Sequence, residues 1–354
     1  MTEIELPISK SIANRLLILQ ALSGQPLMDV DDPRVPQDVK TLHHALVAIA
    51  DGAKEIDVEN CGTAMRFLTA YCAQLEGHTV VLKGSARMNQ RPIVQEVAAL
   101  IQCGADIWYE GEFGFPPLRI RGKQLHNPMD DDTRDKGPKL NGPLSSQYVS
   151  ALQLVGFKVQ TDCTSPYIQM TQEVKQRFAN GEQLIETDWS SAAFWYEYVA
   201  LHGGELHLNG LSAESIQGDK IIAQIYKHFG VGTRFDATGA IISKVGRSTF
   251  WPIVQNFITC PDLYPAVALT CRQLDIKLIA RNTAMLRIKE SDRIDSIKHL
   301  RVNGDHRVAM AMAAADMPLT EEDITCIGKS YPTFYSQLCA LQPSYRGEIS
   351  MTKG

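Results

Sequence analysis

The chain has 354 residues, of which 44% are hydrophobic and 21% are charged, and its formal net charge is −5. These proportions are typical of a folded globular protein and exclude a disordered or fibrous chain. The small acidic excess argues against a protein that coats nucleic acid or lies on anionic lipid. At roughly 150 residues per domain, the length predicts two domains, with one large domain as the alternative.

The sequence carries no signal for membrane insertion, secretion or metal binding. No apolar run approaches the ~20 residues that span a bilayer, and the first residues lack the basic start and apolar core of a signal peptide. The 8 cysteines form no CxxC pair, and the 9 histidines show no spacing typical of a zinc site. We therefore expect a cytoplasmic protein without a bound metal.

Short β-branched runs alternate with amphipathic helices along the chain. Helices are predicted to begin at small polar residues or proline and to end at glycine, which are the physical signals of helix ends. The predicted helix starts are 9–11, 60–63, 91–92, 145–147, 164–166, 190–191, 218–219, 261–262 and 305–307. The predicted strands include 79–82, 118–120, 205–208 and 240–242. This alternation predicts an α/β or interleaved α+β fold, with a domain boundary in the polar stretch 181–188.

Many of the predicted helix starts carry a cation. These cations are Lys10, Arg15, Arg66, Arg87, Arg91, Lys289, Arg293, Arg307 and Lys329. A helix N-terminus binds anions through its free N–H groups and its dipole, and a guanidinium adds paired hydrogen bonds to phosphate or carboxylate. Taken singly, each cation is more typical of a solvated surface residue. Their repetition in an acidic protein predicts a small polyanionic substrate.

Ten short motifs carry a resemblance to a known family. They are SKSIANR at 9–15, NCGTAMR at 60–66, RMNQRPI at 87–93, SSQY at 145–148, PY at 166–167, DWSSA at 188–192, PD at 261–262, KESDR at 289–293, DHR at 305–307 and KSYP at 329–332. In this order they resemble the 3-phosphoshikimate 1-carboxyvinyltransferase (5-enolpyruvylshikimate-3-phosphate synthase, EPSP synthase) family. The resemblance runs over residues 6–338, nearly the whole chain.

The resemblance implies a fold and an activity. The family fold has two similar domains of repeated βαβαββ-type units, with helices inside, sheets facing solvent and the active site in the interdomain cleft. The expected domains are 9–186, and 1–8 together with 187–354. The family transfers the enolpyruvyl group of phosphoenolpyruvate to the 5-hydroxyl of 3-phosphoshikimate and releases phosphate, in the shikimate pathway of aromatic amino-acid biosynthesis. It implies a monomer that needs no metal or organic cofactor and binds no nucleic acid or membrane.

The resemblance also assigns roles to particular residues. The implied ligands of 3-phosphoshikimate are Lys10, Ser11, Arg15, Ser145, Ser146, Gln147, Thr164, Tyr167, Asp262 and Lys289. The implied ligands of phosphoenolpyruvate are Lys10, Asn60, Gly62, Thr63, Arg91, Gln147, Arg293, Arg307 and Lys329. In the family an aspartate takes the hydroxyl proton and a glutamate protonates the methylene group. These match Asp262 and Glu290, and Lys10 shares in proton transfer.

The implied chemistry agrees with the residue types. Both substrates carry a phosphate and a carboxylate, so lysines and arginines must offset their repulsion. Arg91, Lys329 and Lys10 would stabilise the departing phosphate. A glutamate that donates a proton near neutral pH needs a raised pKa, which nearby cations oppose. The proton donor is therefore the least determined of the roles.

The sequence departs from the family pattern at three residues and in three short segments. Met285 stands where the family has Asn, Cys61 replaces Ala, and Ser165 replaces Lys or Arg. The segments 53–59, 174–185 and 294–305 are too short for the strands that the family places there. Either the enzyme is trimmed or residues are missing from the sequence, and the intact motifs favour the second explanation. We therefore expect abnormal chain geometry near residues 300–303.

Two other functions stay open at this point. A related transferase moves enolpyruvyl onto a UDP-linked amino sugar, but it would carry a cysteine in its cleft, and the SSQY and DHR motifs favour the shikimate enzyme. The other is a catalytically impaired homologue that only binds phosphorylated ligands. Met285 and the short segments support it, whereas the intact Lys10, Asp262, Glu290 and Lys329 argue against it.

Overall fold

The structure is a computed structural model that describes residues 1–127, 137–140 and 145–342. Contacts divide the chain into two compact units. The C-terminal unit comprises Met1–Lys10, Asp31–Gln37 and Ile185–Gly354, and the N-terminal unit comprises Ser11–Val30 and Asp38–Leu184. The segment 31–37 departs from the expected domains because its backbone bonds to the C-terminal unit: Ile8 N donates to Arg34 O, and Gln37 N donates to Gly328 O.

Helices and short strands alternate through both units, as the sequence predicts. The helices are α1 (Lys10–Ser23), α2 (Gln37–Ala50), α3 (Gly62–Ala73), α4 (Val94–Gln102), α5 (Ser146–Leu154), α6 (Pro166–Ala179), α7 (Trp189–His202), α8 (Ile222–Ile225), α9 (Tyr264–Gln273), α10 (Arg293–His299), α11 (His306–Ala314), α12 (Glu321–Ile327) and α13 (Phe334–Leu341). The strands are β1 (Thr2–Glu5), β2 (Glu55–Asp57), β3 (Thr79–Lys83), β4 (Asp106–Tyr109), β5 (Leu118–Arg121), β6 (Glu205–Asn209), β7 (Val231–Phe235), β8 (Gly239–Lys244), β9 (Ile253–Asn256) and β10 (Leu278–Arg281). No helix among the described residues is long and apolar enough to cross a membrane.

The same strand topology occurs once in each unit. The N-terminal unit has the sheet β2-β3-β5-β4, in which β2 is parallel to β3 and the remaining pairs are antiparallel. The C-terminal unit has the sheet β1-β6-β8-β7, in which β1 is parallel to β6 and the remaining pairs are antiparallel. This repetition confirms the α/β class with repeated units of the βαβαββ type.

The sheet of the N-terminal unit buries one face and exposes the other. In β5, Leu118 and Ile120 are buried, whereas Arg119 and Arg121 are exposed. Successive side chains of a strand point to opposite faces, so this alternation places the helices on the apolar side. Nearly every residue of α3, α7 and α11 is buried. These central helices therefore form the core, and their first residues are held in fixed positions.

A third parallel pair, β9 with β10, has no antiparallel hairpin among the described residues. Beyond β10 the chain forms α10 and then turns directly into α11. Leu300 ends α10 in a left-handed conformation with φ 53°, and Asn303 has φ 51°. Arg301 N donates to Ser296 O at 3.0 Å, and Asp305 N donates to Val302 O at 3.1 Å. These hydrogen bonds make residues 300–305 a compact connector between α10 and α11.

Candidate active site

Three turns of the C-terminal unit bring charged side chains together. Asp262 lies in the 3-10 turn Pro261–Leu263 that precedes α9. Glu290 follows another 3-10 turn, Ala284–Ile288, and precedes α10, whose first residue is Arg293. Asp305 caps α11 by accepting a hydrogen bond from Arg307 N at 3.0 Å. We call the resulting group the acid–base cluster; it comprises Lys10, Asp188, Asp219, Asp262, Lys289, Glu290, Arg293, Asp305, His306, Arg307 and Lys329.

Asp262 is surrounded by cations. Its Oδ1 atom lies 2.7 Å from Arg293 Nη1 and 3.7 Å from Lys289 Nζ, and its Oδ2 atom lies 3.2 Å from Arg307 Nη2. Burial favours the neutral acid, but these three cations outweigh it and hold the pKa of Asp262 well below its ordinary value. Asp262 is therefore ionised at neutral pH and can accept a proton.

Arg293 is fixed between two carboxylates. Besides Asp262, it binds Asp305 through Nε at 2.9 Å and Nη2 at 3.4 Å, and only 2% of its surface is exposed. Burial lowers the pKa of Arg293, but Asp305 and Asp262 raise it above the ordinary value. The guanidinium thus links the 3-10 turn, α10 and α11 in this structure, and a substrate anion would have to share it with them.

Glu290 bridges a histidine and a lysine. Its Oε2 atom lies 2.8 Å from His306 Nδ1, and its Oε1 atom lies 2.8 Å from Lys329 Nζ. Burial would raise the pKa of Glu290, but His306, Lys329 and Lys10 hold it well below the ordinary value. Burial also lowers the pKa of His306, so the neutral ring donates Nδ1–H to the carboxylate. Glu290 is therefore a carboxylate here and not yet a proton donor.

Two further carboxylates join the cluster, and the sequence did not assign them a role. Asp188 caps α7 through Ser191 N at 3.0 Å, and burial raises its pKa although Arg307 and Lys10 oppose the rise. Burial and the charge of Asp262 raise the pKa of Asp219 to about 7, and Asp219 accepts a hydrogen bond from Ser190 Oγ at 2.5 Å. The sequence signals were the DWSSA motif at 188–192 for Asp188 and the predicted helix start at 218–219 for Asp219.

Glu290, Asp305 and His306 have the geometry of a metal site, since one ligand atom from each lies within 4.8 Å of the others. Their donors are already bound to Lys329 and Arg293. These cations would repel a divalent ion, so the residues do not fit a metal centre.

The N-terminal unit holds a second set of predicted residues around the start of α3. A Cβ atom on Gly62 would lie 2.4 Å from Arg91 Nη1 and 2.8 Å from Arg66 Nη1, so a larger residue would displace both guanidiniums. Both guanidiniums therefore lie against the first helical residue, where free N–H groups attract anions. Cys61 is the helix cap, and its Sγ accepts a hydrogen bond from Ala64 N at 3.4 Å. Asn60 Oδ1 accepts a hydrogen bond from Ser85 Oγ.

The start of α5 lies beside the start of α3. Ser145 caps α5 by accepting from Gln147 N at 3.3 Å, and Ser146 is the first helical residue. Gln147 Nε2 donates to Thr63 Oγ1 at 3.0 Å. We call this set the helix-start cluster; it comprises Asn60, Gly62, Thr63, Arg66, Arg91, Ser145, Ser146 and Gln147.

The guanidinium of Arg15 is hydrogen-bonded to other groups of the protein. Its guanidinium donates to Ser11 O at 2.7 Å, Thr171 Oγ1 at 2.8 Å, Ser150 Oγ at 3.0 Å and Tyr167 O at 3.1 Å. Burial lowers the pKa of Arg15 to about 10. Arg15 therefore ties α1 to α5 and α6.

The start of α6 carries the remaining predicted ligands. Thr164 precedes the helix and Tyr167 is its second residue. Ser165, where the family has a cation, caps α6 by accepting from Tyr167 N at 3.3 Å.

Comparisons with known proteins give one family for the chain. The family model described as EPSP synthase (3-phosphoshikimate 1-carboxyvinyltransferase) matches residues 47–156 and 148–301. The chain is 31% identical to a 3-phosphoshikimate 1-carboxyvinyltransferase of Bacteroides fragilis over 404 residues, covering 95% of this chain and 94% of that protein. It is 28% identical to the enzyme of that name from Idiomarina loihiensis, covering 96% of each. The matched length of 404 exceeds the 354 residues of this chain, so the relatives carry segments that this chain lacks.

A solved structure has the same fold. The EPSP synthase of Acinetobacter baumannii superposes with a TM-score of 0.65 at 19% identity, covering 96% of this chain and 95% of that one.

Proposed function

The chain belongs to the EPSP synthase family, and we propose that it transfers the enolpyruvyl group of phosphoenolpyruvate to the 5-hydroxyl of 3-phosphoshikimate with release of phosphate. The observation that carries this proposal is the acid–base cluster. It places an ionised carboxylate, a second carboxylate bound by a lysine, and several cations in one unit. The addition of a hydroxyl to an enol phosphate needs one group to take a proton and another to give one.

Asp262 is the proposed base. Arg293 and Arg307 hold both of its oxygens, and Lys289 lies near enough to guide an anionic substrate toward it. The low pKa of Asp262 keeps it ionised but also makes it a weak base. A substrate anion that shares these cations would weaken their hold and raise the proton affinity of Asp262.

Glu290 is the proposed proton donor, and Lys10 shares in the transfer. Lys329 binds Glu290 directly and Lys10 acts on it through charge. A phosphate that binds Lys329 and Lys10 draws their charge away from Glu290 and raises its pKa toward the working range. The proton donor thus becomes competent only when phosphoenolpyruvate is bound.

The other implied ligands supply anion binding. At the helix-start cluster, Gly62 and Arg91 receive an anionic group of phosphoenolpyruvate, and Arg91, Lys329 and Lys10 stabilise the departing phosphate. The remaining proposed phosphoenolpyruvate ligands are Asn60, Thr63, Gln147, Arg293 and Arg307. The proposed 3-phosphoshikimate ligands are Lys10, Ser11, Arg15, Ser145, Ser146, Gln147, Thr164, Tyr167, Asp262 and Lys289.

The test is phosphate release with both substrates together, compared with each substrate alone. Release that requires both supports the synthase. No release, with tight binding of 3-phosphoshikimate, would instead identify an impaired homologue. Release with phosphoenolpyruvate and a UDP-linked amino sugar would identify the related transferase.

We further propose that the enzyme is a cytoplasmic monomer. A monomer is what the family resemblance implies, and the eight cysteines are all free, as a reducing compartment favours. Light scattering coupled to size-exclusion chromatography tests the oligomeric state, and a dimer mass would contradict it.

A further inference from the structure

A buried carboxyl group in the N-terminal unit has no role in the proposed reaction. Glu96 lies in the first turn of α4, and its residue surface is 0% exposed. Neither of its carboxyl oxygens has a hydrogen-bond partner among the described residues. A charged carboxylate is costly to bury without a partner, so Glu96 is expected to be neutral or to serve a function.

Three elements pack against α4, the helix that carries Glu96: α3, α5 and β4. From α3, Arg66 acts on it: burial raises the pKa of Glu96 well above its ordinary value, and the charge of Arg66 opposes that rise only in part. From α5, Tyr148 faces the same region, and its own pKa is raised mainly by burial. On β4, Ile107 is buried, and Asp106 is bound to the surface cations Arg121 and Lys123. Arg66 is therefore the charged group that senses whether Glu96 is ionised.

Arg66 connects Glu96 to the helix-start cluster. Its Nη1 donates to Gly62 O at 3.0 Å and lies, with Arg91 Nη1, against the glycine Cα. Its Nη2 donates to Pro92 O at 3.4 Å. Its Nε is buried without a hydrogen-bond partner among the described residues. No carboxylate among the described residues forms an ion pair with Arg66. Its charge is therefore available either to an anion at the helix-start cluster or to Glu96.

We propose that Glu96 is a positioning residue that couples anion binding beside Arg66 and Arg91 to the uptake of a proton from solvent. When a carboxyl oxygen of Glu96 carries the proton, Arg66 presents its full charge to the anion. When Glu96 is ionised, it attracts Arg66 and competes with the anion. The natural anion, phosphoenolpyruvate, follows from the proposed function, on which this role rests.

The test uses sulfate as the probe, because its charge does not change over the range of interest. Its dissociation constant is measured by calorimetry on the full chain from about pH 6 to about pH 9, above the ordinary pKa of a glutamate, because burial raises the pKa of Glu96. In the wild type, the affinity for sulfate should fall by at least about fivefold as the pH rises across this range. A change of this size is typical of coupling between two sites. Repeating the titration in buffers of different ionisation heat should reveal proton uptake on binding. The affinity of Glu96→Gln for sulfate should not change with pH, and its binding of sulfate should take up no proton.

The exposed Glu76, in the same unit, provides the matched control, and Glu76→Gln should behave as the wild type. Equal pH dependence in the wild type and in Glu96→Gln would overturn the proposal, as would a wild type that binds no sulfate. Should the glutamine variant fail to fold, Glu96→Leu gives the same comparison. Turnover is measured in parallel. Its absence, with proton-coupled sulfate binding intact, would contradict the proposed synthase and leave the role of Glu96 standing.

Discussion

Arg293 and Asp262 form a buried ion pair, with Arg293 Nη1 at 2.7 Å from Asp262 Oδ1. The same carboxylate also meets Arg307 and Lys289. The proposed base therefore neutralises three cations that the fold has largely removed from water. Function and stability cannot be separated at this position, because removal of the carboxylate leaves those cations without their partner.

Asp262→Asn should lose both turnover and stability. Loss of a positioned base lowers the rate by roughly 10²–10⁴-fold. Breaking a buried ion pair from one side lowers the free energy of unfolding by about 3 kcal/mol. Steady-state kinetics and urea unfolding measure the two effects. Asp295→Asn, an exposed carboxylate in α10, is the control and should change neither. Near-normal turnover in Asp262→Asn would show that Asp262 only holds the cations.

Lys329→Met should lower turnover through two effects. The lysine is 2.8 Å from Glu290 and is proposed to stabilise the departing phosphate. Its removal raises the pKa of Glu290 in the free enzyme and leaves the leaving group without its cation. We expect kcat to fall by roughly 10²-fold or more, as for other losses of electrostatic stabilisation. The control Lys298→Met removes an exposed cation from α10 and should retain full activity. Equal kcat in the two variants would contradict the role of Lys329.

Local signals in the sequence predicted the fold better than the site. Ser145 and Asp305 precede predicted helix starts, and both cap helices in the structure. Their side chains accept hydrogen bonds from the next turn, which is a local interaction. The start predicted at 91–92 was wrong, since α4 begins at Val94. The residues at 261–262 open a 3-10 turn rather than an α-helix. These boundaries depend on the packing of the following helix, which the sequence does not display.

The charge network could not be predicted residue by residue. A cleft carboxylate such as Asp262 would be expected from the sequence to be removable without loss of stability. The structure surrounds it with three cations from two segments of the chain, 289–293 and the start of α11. In the same way, Asp305 could be identified as a polar helix start, but its ion pair with Arg293 joins two helices. Such ion pairs arise from tertiary packing and produce no periodic pattern in the sequence.

Gly62→Ala should weaken the binding of phosphoenolpyruvate. The added Cβ would lie 2.4 Å from Arg91 Nη1 and would displace the guanidinium from the start of α3. We expect a several-fold rise in the KM for phosphoenolpyruvate and a fall in kcat, because Arg91 is proposed both to receive the substrate and to stabilise the departing phosphate. Gly111→Ala is the control in the same unit, since its Cβ meets no atom closer than 3.9 Å. An unchanged KM in Gly62→Ala would show that Arg91 does not receive the substrate.

Glu197→Gln should stabilise the protein, and the gain should grow with pH. Glu197 is buried in α7, and neither carboxyl oxygen has a hydrogen-bond partner among the described residues. Burial raises its pKa well above the ordinary value. Between the unfolded and the folded pKa, the folded state holds a proton that the unfolded state has lost. Stability therefore falls as pH rises through this window, and glutamine, which does not titrate, removes the fall.

The measurement is urea unfolding of the wild type and of Glu197→Gln at about pH 5 and about pH 8, on either side of much of this window. We expect similar stability at the lower pH and a gain of at least about 1 kcal/mol at the higher pH, since each unit of pKa shift corresponds to about 1.4 kcal/mol. Glu214→Gln, an exposed glutamate in the same unit, should show no pH-dependent gain. A gain of equal size at both pH values would mean that the carboxyl group does not titrate within this range, and that glutamine stabilises α7 for another reason.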